Sequence, residues 1–292
     1  MDEAVLGIDI GGTKALIGIG TMTGKVLCEK RLDVRQHGDA QSVIDAVVEL
    51  ARPIVDTYHP KAVGISTMGI TLEDRVLLAP NVTGWEELIL PSYFADAFPN
   101  RRISIANDVK AALLAEMRWG SLNTGRPVAY LNLGTGISLV FGNEGVVWDG
   151  AHKASGEIAY SWQQGERGYA TGHAPLEESV GGGALDREAE RLFGLSGGLQ
   201  EVFNIWDSRP EVKRWMAAVL ERIARVVGNV LLVLDVDRVA IGGGQVAQFE
   251  KIVRVFGSVW NEYLPFPPDI VPARFRHAAG LMGAIALGVD AL

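Results

Sequence analysis

The chain has 292 residues, 48% of them hydrophobic and 21% charged, which excludes a disordered protein and supplies more core than one domain ordinarily uses. Its 27 Lys and Arg stand against 35 Asp and Glu for a net charge of −8, with no long basic run, so nucleic acid is excluded as an expected partner. A single cysteine, Cys28, rules out an intrachain disulfide and a thiolate-rich metal cluster.

In chain order, β-branched segments alternate with segments of helical period, the pattern of α/β units. The N-terminus lacks the basic flank of a signal peptide and leads directly into a strand over Val5–Ile10, followed by Ala15–Gly20 and Lys25–Val34. A helix is predicted over Ser42–Val55, with Ser42 and Asp45 as a capping box and Val43, Val47, Leu50 and Ile54 on one face. Strands at Ala62–Ser66 and Ile103–Ala106 come next, then a helix at Val109–Arg118 whose apolar character on nearly every side predicts burial. The Gly-Ser-Leu-Asn-Thr-Gly composition within Trp119–Arg126 reads as a connection. Beyond it lie strands at Val128–Leu133 and Ile137–Phe141, a helix over Glu211–Leu234, a strand at Val239–Ile241 and a last helix near Ala278–Ala291. The longest apolar run, Val226–Leu234, is broken by Gly228 and Asn229 and is too short to span a bilayer, so no membrane partner and a cytoplasmic location are expected.

An internal echo organises the chain. Gly7-Ile-Asp-Ile-Gly-Gly-Thr13 lines up with Tyr130-Leu-Asn-Leu-Gly-Thr-Gly136: a strand with a polar residue, a glycine turn, a return strand. Two similarly built halves follow, each presenting a hairpin loop to a shared cleft: residues 1–118 with the helix 278–292, and a larger domain of residues 119–277.

The first loop, Asp9-Ile-Gly-Gly-Thr-Lys14, joins two strands and so differs from the strand-to-helix phosphate loop; Gly11, Gly12, Thr13 and Lys14 offer N–H groups that a phosphate can approach closely. One such loop is equally an ordinary hairpin turn, but the match with Gly134-Thr135-Gly136 favours a nucleotide. Asp9 is placed to meet Mg²⁺ through water. The cluster Gly242-Gly243-Gly244 follows another short strand and completes the set. Ile103-Ser-Ile-Ala-Asn-Asp108 ends a strand on two polar residues at a helix N-terminus, where Asn107 and Asp108 read either as caps or as groups that bind a substrate hydroxyl, Asp108 accepting its proton.

These segments carry a resemblance over nearly the whole chain. Gly7-Ile-Asp-Ile-Gly-Gly-Thr-Lys14, Ala106-Asn-Asp108 with Ala115-Glu116, Leu133-Gly-Thr-Gly-Ile137, Gly156-Glu157, Leu176-Glu177 and Ile241-Gly-Gly-Gly244 resemble, in order and spacing, the ROK family, which includes bacterial glucokinases. The resemblance implies an actin-like ATPase (ribonuclease H-like) fold of two α/β domains around a central cleft. It also implies transfer of phosphate from ATP, with Mg²⁺, to a hexose hydroxyl, as in glucokinase acting on the 6-OH of glucose. Asp108 would be the base; Asn107, Glu157 and Glu177 would contact the sugar; the three glycine loops would hold ATP. Family members often form homodimers. Repressor members carry a DNA-binding helix-turn-helix ahead of the first loop, for which this sequence leaves no room.

Two departures stand out. Where the family reads Gly-Glu-x-Gly-His and then a cysteine-rich zinc run, this chain reads Gly156-Glu-Ile-Ala-Tyr160 and Gln163 to Pro175 without cysteine, so no zinc site is expected and His173 is a solvated loop histidine. Tyr160 takes the place of a sugar-contacting histidine, which leaves N-acetylmannosamine, fructose or allose as admissible as glucose. Ser138-Leu139 replaces further glycines after the second loop. Polyphosphate is an alternative donor, and a catalytically inactive sugar-sensing protein is the reading from another class.

Overall fold

The computed structural model describes residues 3–79, 82–162 and 167–292. In chain order the elements are β1 (Ala4–Ile10), β2 (Lys14–Thr21), β3 (Val26–Asp33), α1 (Ala40–Tyr58), β4 (Ala62–Thr67), β5 (Ile70–Thr71), β6 (Val76–Leu77), α2 (Leu90–Ala97), β7 (Arg102–Asn107) and α3 (Asp108–Trp119). They continue as β8 (Val128–Leu133), β9 (Ile137–Asn143), β10 (Val146–Val147), α4 (Pro175–Val180), α5 (Gly182–Phe193), α6 (Gly198–Ile205) and α7 (Pro210–Leu234). Last come β11 (Arg238–Gly242), α8 (Phe249–Tyr263), β12 (Asp269–Pro272) and α9 (Ala279–Asp290). The chain divides into one compact unit of Met1–Asn123, Gly145–Ser155 and His277–Leu292, and a second of Thr124–Glu144 and Gly156–Arg276.

The first unit is built on a sheet of order β3-β2-β1-β4-β7. β1 pairs antiparallel with β2 and parallel with β4, and β4 pairs parallel with β7. Alternation along the strands sends Leu6, Ile8, Ile10, Ile17, Ile19, Val63 and Ile65 into one core with Val43, Ile44 and Val47 of α1. The middle of the opposite face is lined with glycine. Gly18, Gly7 and Gly64 stand side by side in register across β2, β1 and β4, and α9 packs into the trough they leave. A Cβ at Gly64 would lie 1.8 Å from the carbonyl oxygen of Ala284.

The second unit repeats this plan. In the order β9-β8-β11-β12, β8 pairs antiparallel with β9 and parallel with β11, and β11 pairs parallel with β12, as β1 does with β2 and β4, and β4 with β7. Its core joins Val212, Met216, Leu220, Ile223 and Val227 of α7 to Ile252, Phe256 and Trp260 of α8, and the Trp260 indole donates to the Ala224 carbonyl at 2.8 Å.

Several local details differ from the expectations. α1 begins at Ala40 because Asp39 is its cap, its carboxylate accepting from the Ser42 N–H at 2.8 Å; Ser42 and Asp45 form no capping box, and Asp45 instead accepts from Gln41 and Tyr93. α3 is buried from Val109 through Met117, but Lys110 and Glu116 are among the buried residues. α2, α4, α5, α6 and α8 lie where no helix is predicted, and residues 145–155 belong with the first unit. No helix among the described residues is long and apolar enough to cross a membrane.

Candidate active site

The parallel strands of the first unit bring its polar residues to one end. Register sets Asp9 beside Ser66, and Thr67 beside Asn107, so Asp9, Asn107 and Asp108 all stand at the carboxyl ends of β1 and β7, where open α/β sheets take their ligands. Asn107 caps α3. Its Oδ1 accepts from the Val109 N–H at 2.9 Å, and its Nδ2 donates to the Gly69 carbonyl at 3.1 Å, which leaves one amide hydrogen and one lone pair for a ligand. Asp108, the first residue of the helix, is exposed, and its Oδ1 also accepts from the Val109 N–H.

Asp9 accepts from the Ser66 hydroxyl at 2.9 Å. Burial and, next to it, the negative charge of Asp108 push its carboxyl up to about 6, against the Ser66 hydrogen bond and Lys14, which lower it. Against its carboxylate lies the first turn of α9: a Cβ at Gly280 would sit 2.2 Å from Asp9 Oδ2, so only glycine fits there. Gly280 escapes a sequence reading because a glycine near a helix start has many explanations.

The shift has a measurable consequence. Folded Asp9 holds its proton more tightly than the unfolded chain does, so its contribution to stability is present below pH 4 and is lost as pH rises towards and through about 6. Asp9→Asn removes this titration. In urea unfolding from pH 4.5 to 8 the variant should gain on the wild type between pH 4.5 and 7 and run parallel to it above; parallel curves throughout would show that Asp9 does not titrate there.

The hairpin Gly11–Lys14 is closed by the Gly11 N–H on the Lys14 carbonyl at 3.0 Å. Among the described residues, the N–H groups of Gly12 and Thr13 have no protein acceptor. The second unit repeats the arrangement: Gly134 donates to the Gly136 carbonyl at 3.1 Å, and the N–H groups of Thr135 and Gly136 have no protein acceptor among the described residues. Paired, outward amides of this kind suit phosphate oxygens.

The second unit also brings three glycine segments into backbone contact. Gly182 and Gly183 donate to the carbonyls of Gly134 and Thr135 at 3.1 and 3.2 Å, and a Cβ at Gly243 would lie 2.4 Å from the Leu133 carbonyl oxygen. Gly242 closes β11, whereas the position of a Cβ on Gly244 is open space. Sequence reading missed Gly181–Gly183, whose run of three glycines was the available signal.

Glu177 lies at the base of this loop, its Oε2 accepting from the Ile137 N–H at 3.1 Å. Glu157 and Tyr160 share a single 3₁₀ turn, which packs against α4, the helix that carries Glu177. Gly156, at φ +97°, pins that turn to β9 by accepting from the Leu139 N–H at 3.0 Å, and the Tyr160 ring meets Tyr169 edge-on with centroids 5.5 Å apart. His173 is not simply solvated, since its Nδ1 is 3.1 Å from the Glu178 carboxylate. Among the described residues no three His, Cys, Asp or Glu side chains cluster in a metal-binding arrangement; Gln163–Glu166, part of the stretch that matches the zinc run, lie outside them.

A family model described as the ROK family matches residues 5–291. An N-acetylmannosamine kinase from Vibrio cholerae serotype O1 is 24% identical over 294 residues, covering 96% of this chain and 97% of that protein. The crystal structure of a ROK hexokinase from Thermus thermophilus superposes with a TM-score of 0.84 at 25% identity, over 98% of this chain and 97% of that one. That of a ROK family glucokinase from Streptomyces griseus, in complex with glucose and AMPPNP, superposes with a TM-score of 0.78 at 20% identity, over 98% and 99%. The fold is the actin-like ATPase fold of these kinases.

Proposed function

Because the chain belongs to the ROK family, we propose that it is an ATP-dependent sugar kinase that phosphorylates a hexose hydroxyl, the 6-OH of glucose or a related hexose, with Asp108 as catalytic base. The observation that carries this reading is the pair of matched hairpins, each with two outward amides, in a chain whose exposed Asp108 opens a helix beside Asp9.

In this reading the amides of Gly12 and Thr13, the Lys14 ammonium and the amides of Thr135 and Gly136 bind the phosphate chain, Gly11 and Gly134 hold the two hairpins in shape against it, and Gly242, Gly243 and Gly244 border the nucleoside. Asn107, Glu157, Tyr160 and Glu177 bind the sugar. Asp108 accepts a hydrogen bond from the attacking hydroxyl, orients it towards the γ-phosphorus and takes its proton as the bond to phosphorus forms and the bond to the β-phosphate oxygen breaks. A hard, oxygen-preferring cation fits the carboxylates of Asp9 and Asp108, and Asp9 would hold Mg²⁺ through water. Mg²⁺, when bound, supplies charge neutralisation on the phosphate oxygens.

Tyr160 in place of a sugar-contacting histidine keeps the acceptor open among hexoses, N-acetylmannosamine included. The deciding experiment is coupled ADP release across glucose, N-acetylmannosamine, fructose and allose, repeated with polyphosphate as donor and glucose 6-phosphate formation as readout. Turnover with one hexose well above the others is expected. No transfer from either donor to any sugar, with calorimetric sugar binding retained, would make the chain a sugar sensor instead.

A further inference from the structure

Lys110 stands two residues after Asp108 in the first turn of α3, and its side chain is only 4% exposed. A buried ammonium is costly unless fully paired, and a cation in the first turn also opposes the helix dipole. An apolar side chain like those of Val109, Ala111 and Ala112 would serve helix packing as well. Lys110 is instead fully committed. Its Nζ donates to Asp149 Oδ1 at 2.8 Å, to the Asp149 carbonyl at 3.3 Å and to the Lys153 carbonyl at 2.8 Å, which uses all three of its hydrogens.

The segment so held is largely exposed. From Trp148 to Ala154 every residue except Gly150 is exposed, and only the two residues of β10 are extended in a sheet. Lys153 has φ +55°, a left-handed conformation unusual for a side chain of this kind, and its carbonyl is one of the three acceptors. The Asp149 carbonyl also accepts from the Ser155 N–H at 3.2 Å, so the segment closes into a loop around the ammonium. The next residues in the chain are Gly156 and Glu157.

We propose that Lys110 is a positioning residue for sugar recognition: it fixes residues 149–155 on the helix that carries Asp108, and so fixes where the chain delivers Glu157. The inference rests on the assignment of Glu157 to the sugar site. Side chains two positions apart on a helix point about 200° apart, so Lys110 acts through the segment it grips and not by sharing the face of Asp108.

The test pairs Lys110→Met with Asp149→Ala, which removes the charged acceptor, keeps both carbonyls and guards against a Lys110→Met chain that fails to fold. Each folded variant should raise the hexose KM, and the calorimetric Kd for hexose, by about tenfold or more, with the ATP KM within about twofold and kcat within about threefold. The double variant should cost no more than Lys110→Met alone. Hexose KM and Kd unchanged within twofold, or hexose and ATP constants rising together, would overturn the inference while leaving the kinase assignment intact. A wild type that neither phosphorylates nor binds any hexose would overturn both.

Discussion

Asp108→Asn is expected to lower kcat on the best hexose by about 10³–10⁴-fold while the protein stays folded and keeps its sugar. Asparagine is nearly isosteric, and its Oδ1 can still accept from the Val109 N–H as Asp108 does at 2.9 Å, so the start of α3 is preserved. What is lost is the acceptor for the hydroxyl proton, replaced by an N–H that competes as a donor. A loose phosphoryl-transfer transition state builds little charge on the attacking oxygen, so part of the loss is lost orientation. Calorimetry should find the sugar Kd within about tenfold of wild type, or roughly 1.4 kcal/mol. A second readout is independent of turnover: the negative charge of Asp108 helps to raise Asp9, so removing it should bring the Asp9 titration down from about 6 towards 3.8. A variant that keeps a tenth or more of wild-type kcat would reduce Asp108 to a structural residue of the first turn of α3.

Gly64→Ala should have the largest effect on stability. The added carbon would lie 1.8 Å from the Ala284 carbonyl oxygen and 2.4 Å from the Gly288 nitrogen. Both are backbone atoms, so no rotamer change relieves the clash, and β4 and α9 must separate along their contact. Overpacking typically costs about 1–3 kcal/mol where side chains can adjust, and about 3 kcal/mol or more is expected where they cannot. For a chain of this size that corresponds to a fall in Tm of roughly 6–12 °C. Gly244→Ala is the matched control, because nothing lies within 4 Å of its new carbon, and it should move Tm by less than about 2 °C. A Gly64→Ala protein within 1 kcal/mol of wild type would mean that α9 does not press on β4 this closely.

The strands around the glycine loops were legible because each combines a β-branched run with a turn signal within a few residues, and because Gly7–Thr13 and Tyr130–Gly136 echo each other. The repeated sheet order is the structural form of that echo. Other features depend on partners remote in sequence. Asp39 outcompetes Ser42 as the cap of α1 through backbone geometry that residue preference alone does not distinguish. Gly280 matters because Asp9, far away in sequence, fills the space its side chain would need. The attachment of Glu177 to the Ile137 N–H, 40 residues apart, and of Lys110 to Asp149, 39 apart, has no local signal at all. The helices α4, α5 and α6 were missed because they are short or glycine-rich at their starts, which weakens the helical period.

The trough formed by Gly18, Gly7 and Gly64 is filled by α9, which is made long after the strands it covers, and this sets an order of events during synthesis. At about 5–20 residues per second, the end of α9 leaves the ribosome roughly 10–30 s after Asn123. Through that interval the nascent sheet β3-β2-β1-β4-β7 has its α1 face covered and its glycine face wet, and the second unit is free to finish first although it began later. β1, β2 and β4 are therefore completed after the second unit although they are made before it, and a chaperone that binds exposed sheet would find them open through that interval.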